Sequence, residues 1–243
     1  MMMVLVWNEY IHEQSDEDVA KIYPKGIHGA IADFLRCDDV EVETATLNDE
    51  NCGITKERLE RTDVLIWWGH LQHDLVPDAV ATTVRDAVLS GMGMIFLHSA
   101  HHSKPFRALH GTSCNLTWRE SGDAERLWVI EPAHPITRGI DRSFRLEHEE
   151  TYGEPFVIPT PDKLLLIGTY TGGEVFRSGC LWERGNGKIF YLQPGHESYP
   201  TFHVPEIQTV IRNAVRFVAP TYREFITCPQ VRRITDPEPY VIR

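Results

Sequence analysis

The sequence predicts an α/β fold: a doubly wound, mainly parallel sheet with an antiparallel extension. Three observations carry that expectation. Through the first 98 residues short apolar runs alternate with helical patterns, the mark of βαβ units. After His98 the alternation gives way to strand-like runs separated by turn residues. Apolar residues make up 42% of the chain and charged residues 24%, the balance of an ordinary globular protein rather than a disordered, fibrous or coiled-coil one.

The first strand is read at Val4–Trp7. In Gly26–Arg36, Ile27, Ala30, Ile31, Phe34 and Leu35 recur at helical spacing, the apolar stripe of a helix laid on a sheet. Val40–Leu47 alternates as a strand, Thr55–Arg61 reads as a short helix, and Asp63–Trp68 is a continuous apolar run suited to a strand covered on both faces. Pro77 and Asp78 open a helix carrying Val80, Val84 and Val88 inward, with Gly91 as its cap, and Met94–Leu97 is the next buried strand. Further strands are expected at Leu127–Ile130 and Phe144–Glu150 around a His134-Pro135 turn, and at Leu164–Tyr170 and Glu174–Glu183 around Thr171-Gly172-Gly173. Asn186-Gly187 signals a hairpin into Lys188–Leu192. A closing helix, Glu206–Ala219, repeats Ile207, Val210, Ile211, Ala214, Val215 and Val218 before Pro220. No linker justifies a cut among the 243 residues, so one domain is expected, with its core at about 4–219 and an aperiodic C-terminal arm at 220–243. That arm, rich in proline and apolar side chains, would pack on its own domain or across a symmetric neighbour, and a homo-oligomer is expected.

A formal charge of −11 leaves no basic field for a nucleic-acid backbone or an anionic bilayer. The longest apolar runs, Met1–Trp7 and Val64–Trp68, fall far short of the roughly 20 residues that span a membrane. The first lacks a basic start and a cleavage site, so it does not read as a secretory signal. Five widely spaced cysteines without a C-x-x-C pair suit reduced thiols, and a cytoplasmic setting is expected.

Ligands of open α/β sheets bind outside the carboxyl ends of the strands. There this chain delivers Asn8, Glu9 and His12; Gly69, His70 and His73; His98, Ser99, His101 and His102; and Gln193, Gly195, His196 and Glu197. Alternation along Phe144–Tyr152 puts Phe144, Leu146, His148, Glu150 and Tyr152 on one face, which would carry an imidazole and a carboxylate from the core into a cleft. Each histidine taken singly suits a hydrogen-bonded structural role. Independent strands sending imidazoles to one edge point instead to a shared polar site, with a metal as one use of it. No H-E-x-x-H motif supports the metal, so that reading rests on convergence. Ser99 lacks the flanking glycines of a nucleophile elbow, and Gly91-Met92-Gly93 precedes a strand rather than opening a helix, so it is no phosphate cradle and no nucleotide cofactor is expected. Tryptophans beside apolar runs belong to the core, with Trp7 and Trp118, nearest to loop sequence, as the exceptions.

With Asp63-to-His70, Gly91-to-His98, Phe106-to-Gly111, His134-Pro135-Ile136-Thr137, Glu149-Glu150-Thr151-Tyr152 and Gly187-to-Tyr191 running into Pro194-Gly195-His196-Glu197, the chain resembles the ThuA-like family. The resemblance implies a class I glutamine amidotransferase-like (flavodoxin-like) fold and a role in breakdown of trehalose or related disaccharides, alongside an oxidoreductase that makes keto-sugars. That fold places a nucleophilic cysteine after the Met94 strand, where this chain has His98-Ser99, so glutamine hydrolysis does not carry over. The resemblance supports His98, Glu150 and His196; His12, His70 and His148 rest on strand position. The resulting expectation is a sugar-processing enzyme with His98, Glu150, His196 and His148 in catalysis. Trp7, Asn8, His12, His102, Trp118 and Tyr152 would meet the sugar, and His70, His98, Glu150 and His196 would hold a divalent metal, zinc by ligand type. A non-catalytic sugar-binding or assembly module is the alternative, favoured if Glu150 and His148 do not share a cleft with His98 and His196.

Overall fold

A computed structural model describes residues 1–224. Strands β1 (Met2–Asn8), β2 (Val40–Thr46), β3 (Val64–Trp68), β4 (Gly93–Leu97) and β9 (Gly187–Leu192) run parallel in the order β2-β1-β3-β4-β9. Antiparallel strands β5 (Thr117–Val129), β6 (Ser143–Gly153), β7 (Lys163–Tyr170) and β8 (Val175–Arg184) continue the same sheet beyond β9 in the order β8-β7-β5-β6.

The period of two along the parallel strands builds two cores. Val4, Val6, Ile66, Trp68, Ile95 and Leu97 face helices α2 (Glu17–Ile22), α3 (Gly26–Leu35) and α7 (Pro205–Val218). Leu5, Trp7, Leu65, Trp67, Met94 and Phe96 face α4 (Lys56–Arg61), α5 (Asp78–Leu89) and α6 (Lys104–His110). Helix α7 buries all six residues of its expected stripe, each of the larger ones worth roughly 1.5–3 kcal/mol of transfer free energy. Thr55 accepts the Arg58 amide hydrogen bond (3.2 Å) to cap α4, and Val80, Val84 and Val88 are buried on α5.

Four local features differ from the sequence reading. The charged stretch from Asp18 to Tyr23, where no periodicity marks an element, is mostly α2: Asp16 caps it through the Asp18 and Val19 amides, and Val19 anchors it in the core. Helix α6 was hidden by its seven-residue length, too short for periodicity, although Ser103 caps it and Phe106 and Leu109 are buried. Strand β5 begins ten residues before Leu127, its first half being polar because it reaches beyond the packed layers. The last hairpin turns at Gly185-Asn186, with Arg184 already paired to Gly187.

The most consequential difference is a bulge in β6. Pairing advances two residues along β5, from Asp123 to Glu125, but three along β6, from Glu149 to Leu146. The extra residue flips the alternation, so Phe144 and Leu146 join the α7-side core while Tyr152 joins the other. The single face expected from Phe144 to Tyr152 therefore does not exist. Beyond Ala219 the chain turns back over α4 and α5, where Arg223 donates to the Leu59, Glu60 and Thr62 carbonyls and Glu224 donates its amide to Ser90. The rest of the expected arm, 225–243, lies outside the described residues.

Candidate functional site

The exits of β1, β3, β4 and β9 meet one end of β6 in a cleft of about 510 Å³. Two buried carboxylates shape its floor. Glu9, after β1, accepts hydrogen bonds from the His70, Leu71 and Gln72 amides (2.9 Å each) and so folds the loop that carries His70. Glu149, on β6, accepts from the Gly195 and His196 amides (3.1 Å each) and the Thr201 hydroxyl (2.8 Å), fixing the loop that carries His196. A side chain at Gly195 (φ 146°) would strike Phe202 and crowd His98, so the loop passes there only as glycine. His98 itself adopts φ 54° at the end of β4, an uncommon conformation for a residue with a Cβ and one concentrated at functional sites.

These anchors bring one ligating atom each from His70, His98, Glu150 and His196 within 4.8 Å of one another, and likewise from His12, His70 and Glu197. His98 is fully buried; its Nδ1 lies 3.0 Å from the Gln193 carbonyl, which can only accept, so Nδ1 carries the hydrogen and Nε2 is left facing Glu150 Oε2 at 3.0 Å. Among the described residues neither of those two buried atoms has a hydrogen-bonding partner of good geometry. Two lone pairs so placed repel unless a cation lies between them, and a proton or a metal ion would serve. Burial disfavours the imidazolium, but the Glu150 carboxylate, with Glu149 and Glu197 behind it, outweighs burial and raises His98 to about 9. For Glu150 burial acts upward and His98 acts downward more strongly, leaving it below the usual carboxylate range.

His70 Nδ1 lies 2.8 Å from Glu197 Oε2 and His12 Nδ1 lies 3.2 Å from Glu197 Oε1. A carboxylate on one ring nitrogen orients an imidazole and leaves the other nitrogen with its lone pair free. Burial pushes Glu197 up, yet the hydrogen bond from His70 and the charges of His70, His196 and His12 bring it down to about 2. His196 differs: the Ser198 amide donates to its Nδ1 (3.2 Å), so the neutral ring carries its hydrogen on Nε2, 3.7 Å from Glu197 and 3.9 Å from Glu120. Burial, reinforced by His98, holds His196 neutral, down at about 4. The donor set His70, His98 and Glu150 thus fits a divalent ion of the zinc type, two imidazoles and a carboxylate with a position left open.

Of the remaining residues singled out by the sequence, Tyr152, His102 and Trp118 line the cleft. Tyr152 stacks on His98 (ring centroids 5.2 Å, interplanar 17°) and shares a 2.7 Å hydrogen bond with Ser99, which leaves that serine paired with a phenol rather than a base. Three residues are not in the cleft. Trp7 points into the α5-side core, stacked on Trp67 at 3.8 Å and donating Nε1 to the Cys52 carbonyl. Asn8 is buried behind the site, bonded to Glu13 and His28. His148 sits on the bulge, exposed, with Nδ1 3.0 Å from the Gly122 carbonyl. Glu150 and His196 thus line the cleft with His98 buried against Glu150, whereas His148 lies outside it. Glu9 and Glu197 stood among the strand-exit residues without a role. Glu149 was legible only as part of a motif, since nothing in its neighbours distinguishes an anchor for a distant loop.

The fold is similar to that of several solved proteins. A ThuA-like protein from Parabacteroides merdae superposes with a TM-score of 0.64 over 93% of this chain and 92% of its own at 13% identity. A ThuA-like protein from Bacteroides uniformis gives 0.62 over 89% and 91% at 19% identity. A cytoplasmic protein from Salmonella typhimurium LT2 gives 0.61 over 90% and 100% at 12% identity. No curated protein matches the chain by sequence. The family model for ThuA, described as trehalose utilisation, spans residues 3–218, a stretch that takes in every strand exit of the cleft and both carboxylate anchors, and the chain belongs to that family.

Proposed function

We propose that this protein is an enzyme of disaccharide utilisation that acts on a sugar or keto-sugar in the histidine-lined cleft with the help of a divalent metal ion. Family membership supports a carbohydrate-related role. The observation that carries the enzymatic reading is the buried His98–Glu150 pair, facing His70 and His196 with two polar atoms that require a cation. The parallel strand order β2-β1-β3-β4-β9 supports the doubly wound, amidotransferase-like form of the fold, with His98 at the position where such folds carry their nucleophile.

His70, His98 and Glu150 would hold the ion, with Glu197 orienting His70 and the Gln193 carbonyl orienting His98. When bound, a zinc-like ion polarises a carbonyl or hydroxyl oxygen. His196, neutral and with Nε2–H, donates a hydrogen bond to an oxygen that gains charge during reaction, a role an imidazole pinned at Nδ1 fills without changing its proton. His12, its Nδ1 held by the Glu197 carboxylate, would take a proton at its unpartnered Nε2, a part that His70 could not share while it holds the ion. An oxidised substrate suits this equipment. A ketone acidifies its neighbouring C–H, so one base and one electrophile are enough, whereas an unactivated glycosidic bond calls for two carboxylates flanking it. An oxidoreductase that supplies keto-sugars would be its metabolic partner.

The test is to measure metal content of protein purified without an affinity tag, then incubate it with keto-trehalose and with trehalose, using His98→Ala and Glu150→Gln as controls. Turnover of the keto-sugar that is lost in both variants and on chelation is expected. Equal or faster turnover of trehalose would overturn the keto-sugar preference. Binding of sugar without turnover of either would favour the non-catalytic module, which the position of His148 outside the cleft already suits.

A further inference from the structure

Beside its polar residues the cleft is lined by two large apolar side chains, Leu71 and Trp118, which are 58% and 67% exposed. Scattered apolar residues are normal on a protein surface, but two large ones lining one cleft beside a polar cluster are the composition of a ligand wall.

Trp118 is also held in place. It pairs with Tyr152 in the antiparallel register of β5 and β6, on the same face, and Tyr152 stacks on His98. A directly opposed pair sets Cβ atoms roughly 4.5–5.5 Å apart, so the indole stands one strand spacing from the phenol that backs His98. The neighbouring residues fasten the strand: Thr117 donates to the Gly153 carbonyl (2.9 Å), and Arg119 is bound to Asp123 and Glu174. Nothing among the described residues covers the indole, so its position is paid for by the strand and not by packing of its own. A cleft of about 510 Å³ lies in the range, roughly 300–1,000 Å³, that buries a ligand larger than one ring.

From this geometry we infer that Trp118 is the stacking platform of a second subsite, which holds the distal, non-reacting pyranose of a two-ring glycoside while the first ring lies at the His98 cluster. The inference rests on the reading that the cleft takes a sugar, and it makes the protein selective for disaccharides over single sugars. The indole meets the C–H face of the distal ring, a contact available to any pyranose of suitable linkage. Trp118 is accordingly a specificity-determining residue, apart from the groups that hold or move protons.

The experiment compares wild type, Trp118→Ala and Trp118→Phe by calorimetric titration with trehalose and with glucose, and by initial rates on keto-trehalose and on the corresponding keto-glucose. Trp118→Ala should weaken trehalose binding and raise KM for the two-ring substrate about tenfold, leaving glucose affinity and kcat unchanged, and Trp118→Phe should restore most of the loss. Equal losses for one-ring and two-ring ligands, or none for either, overturn the subsite while leaving the enzymatic reading intact. If no variant turns over any sugar but wild type still prefers trehalose to glucose and Trp118→Ala does not, the subsite stands and the enzymatic reading falls. Wild type that binds neither sugar overturns the subsite.

Discussion

Replacing Glu149 should unlock the site from a distance, because this carboxylate touches no cleft surface yet receives the Gly195 and His196 amides and the Thr201 hydroxyl. In Glu149→Ala four buried donors lose their acceptor, since the Glu150 amide also donates to this carboxylate (3.0 Å). At about 1–3 kcal/mol for each stranded group, with some of that recovered by water entering the space, a loss of about 3–5 kcal/mol is expected. Glu149→Gln keeps the shape but turns an NH2 group towards donors, so about 2–4 kcal/mol should go. Both sit within the 5–15 kcal/mol typical of a domain, so the variants should fold. Because the freed loop carries His196 and packs Gly195 against His98, affinity for zinc should fall about 10- to 100-fold as well. Guanidinium unfolding at pH 7, with exposed Glu147→Gln as the control, and zinc titration of the refolded proteins would check this. Glu149→Gln within 0.5 kcal/mol of wild type, with unchanged zinc affinity, would refute the anchoring argument.

Acid stability should depend on Glu197. Its folded value of about 2 lies below its ordinary one, so it contributes stability above about pH 5 that is lost as pH falls towards 2, on the order of 3 kcal/mol. Glu197→Gln should flatten that limb of an unfolding-versus-pH curve; an unchanged limb counts against the His70–Glu197–His12 bridge. His98 works in the opposite direction, since its folded value of about 9 lies above the ordinary one: metal-free protein should be most favoured by this pair below about pH 6.5 and lose that contribution as pH rises through 9. Zinc binding at pH 7 should therefore release a proton, measurable by titration in buffers of different ionisation enthalpy, and Glu150→Gln should abolish the release. His148→Ala should leave stability within 0.5 kcal/mol and sugar turnover unchanged, as befits an exposed bulge residue; a tenfold loss of turnover would return His148 to the site.

The parallel half of the fold was legible because its strands and helices obey the two simple periods, as Val4 and Val6 against Leu5 and Trp7, or the stripe of α7, make plain. What escaped was set by non-local geometry. The β6 bulge is created by pairing with β5, and no local pattern in the Phe144–Tyr152 segment marks the slip that removes His148 and exchanges the faces. Trp7 differs from its expected place for a related reason: it ends a strand beside loop sequence, yet its parity sends it to the α5-side core, where it stacks on Trp67, so strand parity outweighs proximity to a loop.

The cluster was legible as a set of strand exits, but its chemistry depends on which nitrogen of each ring is already committed. Three histidines of one type take different parts because their partners differ: the Gln193 carbonyl fixes Nδ1–H on His98, the Glu197 carboxylate does so on His70, and the Ser198 amide forces the reverse on His196. In their neutral forms the first two keep a lone pair on Nε2 and the third a hydrogen there. A sequence shows three imidazoles, whereas the folded loops, held by Glu9 and Glu149, leave two of the neutral rings with a free nitrogen lone pair and one with a free N–H. Under the proposed function, that division would let metal ligands, a hydrogen-bond donor and a proton acceptor occupy one cleft without competing for the same atom.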